Sequence, residues 1–347
     1  MKNNTKSYGK KALLGLPQGA DPAKFSVAIV LLRVMATCLI TNTHYNHVYP
    51  SERFAIGGLL GDVIFFAVSG YCFAGGIKEN FSRWYTKRWI RVYPSVLLMS
   101  VCFALLGFWE MPGMDLTELC AYFVLPTRFL FFGAIMLCYI PMYFAMRANH
   151  DKALHRATAI WFVAYVLFLL GVDKTAYVMN AVSHPAVLFL YFGAILAGAW
   201  VKRTQSAKQA PLSVLVKWGL LVLFAAVYFL STVIIRANSR YYAIQFVVPV
   251  SLLAMVYSLV SAVVSMEHIL KKIPQPVLRA LGFVANLTLE IYVVQLILID
   301  AMEDILFPVN WVMITLSILC AAAVLKLLTF GITEKLKRRL LETPANV

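Results

Sequence analysis

The run FSVAIVLLRVMATCLITNTH, residues 25–44, decides the fold. Its first nineteen residues hold a single charge, Arg33. A helix needs about 20 apolar residues to cross the hydrocarbon core of a bilayer. This run has that length, and it opens a series. Further apolar runs follow at 57–77, 94–112, 127–145, 157–172, 185–201, 214–235, 241–264, 284–302 and 308–332. The sequence therefore predicts an all-α integral membrane protein, a bundle of about ten transmembrane helices. A stretch at 116–126 is too short to span and reads as re-entrant or interfacial. Residues 1–24 are expected to form a cytoplasmic tail, 25–332 the membrane domain and 333–347 a second cytoplasmic tail.

Composition agrees. Of 347 residues, 61% are hydrophobic and 14% charged, against roughly half and a quarter in soluble domains. The net charge of +15 raises the question of nucleic-acid binding. The positive charge lies in short loops between apolar runs, so it reads as topology-setting, with anionic lipid heads or an anionic substrate as partners and no nucleic acid. Placing the N-terminus inside puts 24 of the 31 Lys and Arg residues on cytoplasmic segments and five outside, which sets both termini in the cytoplasm. The six cysteines all lie in apolar runs without Cys-x-x-Cys spacing, which argues against a disulfide framework or a metal site.

A charge in the hydrocarbon region costs at least about 2.5–3.5 kcal/mol, so each needs a reason. Arg33, Asp62, Glu110, Glu290, Asp300 and Lys326 are such residues. Each reads either as functional or as an interhelix pairing group. Arg33 and His44 are eleven steps apart, which returns a helix to within about 20° of one face and separates them by roughly 16 Å. Both then project from one stripe, Arg33 near mid-membrane and His44 near the outer end. Asp62, in the second run, falls at a depth comparable with His44. A carboxylate there fixes an imidazole tautomer and raises its basicity, unless it pairs structurally with Arg33. Gly57, Gly58, Gly61 and Gly70 allow close helix packing, or leave room for a thin substrate arm. Residues 78–93 read as an inside loop, in which Arg88 and Arg91 share a face suited to gripping phosphate.

Taken together, Arg33-x10-His44, Phe65-Phe66-Ala67-Val68-Ser69-Gly70-Tyr71 and Arg88-x-x-Arg91-Val92-Tyr93-Pro94 resemble the membrane-bound acyltransferase 3 family. Weaker matches follow in order over residues 25–330. They are Arg128 through Pro141, Tyr191 through Leu196, and Leu281-Gly282 with Thr288-Leu289-Glu290-Ile291-Tyr292. Gln295 stands where the late motif usually has His, and Arg128 replaces a common Trp.

The resemblance implies transfer of an acyl group, most often acetyl from acetyl-CoA, to a hydroxyl of a sugar or lipid-linked glycan. It implies a bacterial plasma (inner) membrane location. His44 and Arg33 match the catalytic motif, with Asp62 and Glu290 as further catalytic candidates. Arg88, Arg91 and Tyr93 match the donor-binding motif. Acyl-CoA is the co-substrate and no metal is expected. By composition alone, a glycan flippase or transporter, or a non-catalytic partner of a glycan synthase, fits equally well.

Overall fold

The computed structural model describes residues 26–108, 113–124, 129–147, 151–179, 182–206, 212–302 and 305–341. Glu110, Arg128 and the 1–24 tail lie outside them. Among the described residues the chain is all α-helix with short 3₁₀ and π turns and no strand. The long helices are α1 (Val27–Thr43), α2 (Gly58–Phe73), α3 (Phe81–Leu105), α4 (Leu130–Arg147), α5 (Asp151–Gly171) and α6 (Ala186–Ser206). They continue as α7 (Val214–Ala237), α8 (Val247–Ser265), α9 (Gln275–Asn286), α10 (Thr288–Asp300) and α11 (Val309–Leu341).

Eight of the described helices are long and apolar enough to cross a membrane. The α9–α10 pair passes the same test jointly, bent by 68°, and α1 is a shorter apolar helix of 17 residues. The expected 116–126 element is a single α-turn, Leu116–Leu119, closed by a reciprocal Asp115–Glu118 cap and followed by a π turn, Cys120–Val124.

Three expected boundaries change. Residues 81–93 of the expected loop are helical and belong to α3, which begins thirteen residues before the expected start at 94. Asn80 caps it by accepting a hydrogen bond from the Arg83 N–H at 3.0 Å, and Pro94 is buried inside the helix. An asparagine cap and a run of Lys and Arg, all good helix formers, outweigh one proline. The expected continuous span 284–302 is broken at Leu287. The Thr288 hydroxyl turns back to the Ala285 carbonyl at 2.9 Å, which satisfies an acceptor that the break frees. Finally, α11 runs through the basic C-terminal segment to Leu341 without a stop at 332.

The chain divides into two compact units. The first comprises residues 1–58, 79–133 and 273–347. Its hub is α10, which packs against α1, α3 and α11. Ile314, Ile318, Ala322, Leu325 and Thr329 form a buried stripe on α11 at i, i+4 and i+7 spacing, the pattern of one helical face turned inward.

The second unit comprises residues 59–78 and 134–272. Here α6 packs against α5 and α8, and α8 against α7. A Cβ on Gly70 would stand 1.8 Å from the Ile195 carbonyl oxygen, and one on Gly198 would stand 1.8 Å from that of Ala67. So α2 and α6 cross backbone to backbone, and the space beside Gly70 is filled by protein. On α5 and α7 only 11% of the most apolar stretch is buried within the protein, the signature of helices whose neighbour is lipid.

Candidate active site

In the first unit the α1 stripe is turned onto α10. Arg33, Thr37, Thr41 and His44 follow one another at helical spacing. The Thr37 hydroxyl donates to Thr288 Oγ1 at 3.2 Å, and the Thr41 hydroxyl donates to Gln295 Oε1 at 2.9 Å. Beyond Thr43, His44 ends the helix with near-helical backbone angles and its N–H bonded to the Thr41 carbonyl at 3.1 Å. The carboxylate of Asp300 exerts its charge on His44. The 37–288 and 41–295 hydrogen bonds and the charge of Asp300 acting on His44 advance together, so α1 and α10 run side by side in the same direction.

Two opposed effects act on the His44 imidazole. Burial lowers its pKa from the ordinary histidine value, and Asp300 partly offsets that. A partly buried imidazole with a depressed pKa is neutral near pH 7, the form that can accept a proton. The loop that follows is tied down. Asn42 Nδ2 donates to the carbonyls of Phe54 at 2.8 Å and Ile56 at 2.9 Å, and the Tyr49 hydroxyl donates to Asn42 Oδ1 at 2.7 Å. Gly57, with φ +109°, leads the chain into α2 beside Leu39, where any Cβ would stand 2.7 Å from Leu39 Cδ2.

At the other end of the stripe the same unit gathers positive charge. Lys326 on α11 bonds to Glu290 on α10, with Nζ–Oε distances of 3.3 and 3.4 Å, and the charges of Arg91 and Arg33 both act on Lys326. Ser95 on α3 donates to Glu290 Oε1 at 3.4 Å and lies 3.2 Å from Thr329 Oγ1. Sequence reasoning grouped none of Lys326, Ser95 and Thr329 with Glu290. With Glu290 they lie on three helices, α3, α10 and α11, and no spacing rule joins residues across helices.

The donor-motif residues sit on α3. Arg88 lies over the Trp84 ring, 4.2 Å from its centroid, and its Nη1 donates to the Trp84 carbonyl at 3.0 Å. Arg91, one helical turn on, is exposed. Tyr93 stacks on Trp89 with centroids 3.9 Å apart, and its hydroxyl donates to the Phe123 carbonyl at 2.7 Å. Asp62 lies in the second unit. It is buried and accepts a hydrogen bond from the Tyr191 hydroxyl at 2.7 Å, while the Tyr191 ring stacks on Phe66 at 4.2 Å.

Of the sequence-derived set, Arg33, His44, Arg88, Arg91, Tyr93 and Glu290 thus lie in the first unit, and Asp62 lies in the second. Thr37 and Thr41 were missed, although they lie at i+4 and i+8 from Arg33 and were legible by periodicity.

No curated protein and no solved structure matches the chain. A family model described as an acyltransferase domain matches residues 27–330, from the first residue of α1 to well inside α11. That match takes in the whole α1 stripe, the α3 arginines and the Glu290–Lys326 pair, and the chain belongs to the acyltransferase 3 family of membrane acyltransferases.

Proposed function

We propose that this membrane acyltransferase moves an acyl group, acetyl in the first instance, from cytoplasmic acyl-CoA to a hydroxyl of a cell-envelope or exported glycan. In this reading the protein sits in a bacterial plasma membrane with ten spans and both termini in the cytoplasm. The observation that carries the proposal is the α1 stripe, whose threonines bond to Thr288 and Gln295 on α10 instead of facing lipid.

His44 accepts the proton of the acceptor hydroxyl as its oxygen attacks the thioester carbonyl carbon. The carbon–sulfur bond then breaks, and the coenzyme A thiolate leaves and takes the proton from the imidazolium. Arg33, roughly 16 Å from His44 along the helix, is too distant to share its reacting atoms. It acts with Arg91 on the donor instead, as a grip on the acyl-CoA arm and its phosphates. Arg88 and Arg91 supply the planar, bidentate donors that phosphate recognition favours. Tyr93 fixes this end of α3 through Phe123. Glu290 holds Lys326 in place. Asp62 enters the catalytic set from its depth in the second span alone, with Tyr191 holding its carboxylate.

The test compares glycan acyl content by mass spectrometry in cells with the gene, without it, and complemented by His44→Ala. Deletion should remove the ester, wild type should restore it, and His44→Ala should not, at equal protein in the membrane. Unchanged acyl content on deletion would reject the glycan as acceptor. A second reading, glycan translocation, draws support from the 68° break at Leu287, because broken helices line transport sites. Movement of a labelled glycan across vesicles without any acyl donor would favour it.

A further inference from the structure

Gln295 is fully buried on α10, and its side-chain Nε2 has no hydrogen-bond partner among the described residues. Buried amide donors are almost always paired, so an unpaired one calls for an explanation. Its other end is anchored, because Oε1 accepts from Thr41. With the amide so oriented, its N–H pair lies inside the α1–α10 seam. Thr41 lies three residues before His44 on the same face of α1, about 4.5 Å along the axis. Gln295 also stands between Thr288, which Thr37 reaches, and Asp300, which acts on His44. The unpaired donor therefore lies in the seam that leads to the imidazole. Arg33 lies more than two helical turns below that point.

We propose that Gln295 Nε2 donates a hydrogen bond to the carbonyl oxygen of the acyl thioester and holds the negative charge that this oxygen acquires. The inference rests on the acyl-CoA reading above. When the acceptor oxygen bonds to the carbonyl carbon and His44 takes its proton, the carbonyl electron pair moves onto oxygen. When the carbon–sulfur bond breaks, that pair returns to re-form the carbonyl of the new ester. A fixed, dry N–H donor aimed at that oxygen stabilises it most when the charge is largest. The ligand class is an acyl thioester.

The full-length protein in detergent tests this with acetyl-CoA carrying ¹³C at the carbonyl. Binding to wild type should move the carbonyl infrared band to lower frequency, and Gln295→Met should return it toward the free value. Coenzyme A thiol release by Gln295→Met should fall by about 10²–10³-fold in kcat, as loss of one such donor does, with the donor KM nearly unchanged. Gln295→His keeps a ring N–H and should recover most of that loss. If Gln295→Met does not fold, the wild-type band alone decides, since an unshifted band in the bound complex overturns the assignment. A mutant that matches wild type in kcat, or that changes only acceptor KM, also overturns it. Wild type that neither binds acetyl-CoA nor releases thiol defeats the acyl-CoA reading, and the assignment falls with it. Wild type that does both while Gln295→Met is normal defeats the assignment alone.

Discussion

Lys326 Nζ lies 3.3 Å from Glu290 Oε1 and 2.9 Å from the Asn286 carbonyl oxygen, so one ammonium serves both a buried carboxylate and a carbonyl freed at the α9–α10 break. It thereby ties α11 to both halves of the bent pair. A charge this deep is tolerated because it meets both a carboxylate and a carbonyl. Glu290 is only 3% exposed, so removing Lys326 strands an anion that water cannot reach.

Lys326→Met should therefore destabilise the protein by about 3 kcal/mol, the low end for breaking a buried pair, because the lysine is partly exposed. The double variant Lys326→Met with Glu290→Leu should recover most of that loss. Thermal unfolding in detergent measures both. A double variant less stable than either single one would show that the two charges do not stabilise each other. If Glu290 has a catalytic part as well, the double variant will be stable and inactive.

Arg91 is exposed on α3, and Arg88 is held over the Trp84 ring. A charge-assisted hydrogen bond to phosphate contributes about 1.5–3 kcal/mol, so either Arg→Ala change should weaken coenzyme A binding by about 10- to 100-fold. Arg91→Ala should leave the unfolding temperature close to wild type, since exposed substitutions cost about 0.5 kcal/mol or less. Isothermal titration with coenzyme A reads the first quantity. Equal affinity in wild type and both variants would remove the pair from the donor site.

Much of this architecture was legible in the amino-acid order, and the reason is the bilayer. Long apolar runs are a one-dimensional signal, and each expected run contains a helix or part of one. The Arg33–His44 stripe was equally legible, because helical periodicity relates residues on a single element. What could not be read were relations between elements distant in sequence. Lys326 and Glu290 each read as a pairing candidate, but only the placement of α11 beside α10 shows that they pair with each other. Gln295 looked like a departure from a motif until Thr41 was seen to hold its amide. The break at Leu287 was hidden because Asn286, Leu287 and Thr288 contain neither Gly nor Pro, the usual local markers of an interruption. Tertiary partners stabilise it, the Thr288 hydroxyl on Ala285 and the Lys326 ammonium on Asn286.

The sequence also left open whether Gly70 leaves room for a substrate arm, and the α2–α6 crossing closes that question. Gly70→Ala would drive a methyl into the Ile195 carbonyl, and backbone cannot swing aside as a side chain can. The change should cost about 3 kcal/mol or more and lower the folded yield in the membrane. Gly219→Ala on α7 is the control, since nothing lies within 4 Å of its added methyl. It should be neutral or stabilising by up to about 1 kcal/mol through helix propensity. Size-exclusion profiles of the two variants separate these outcomes. A normal Gly70→Ala profile would mean that α2 and α6 do not cross so closely.

His44 acts as a base only when its imidazole is neutral, so acyl transfer should rise with pH through the His44 pKa and then level off. Burial sets that pKa below the ordinary histidine value, and the rising limb should fall correspondingly on the acid side of it. Asp300 favours the imidazolium, and so opposes burial. Asp300→Asn removes that charge, lowers the pKa further and should move the limb to still lower pH. The variant would then outperform wild type, relative to its own plateau, in acid. The pH dependence of kcat/KM for both proteins checks the sign. A limb that stays in place, or moves to higher pH, would mean that the titrating base is not the imidazole on which Asp300 acts. His44→Ala should abolish the limb itself, leaving a low and nearly flat profile, because the limb reports the titration of that imidazole.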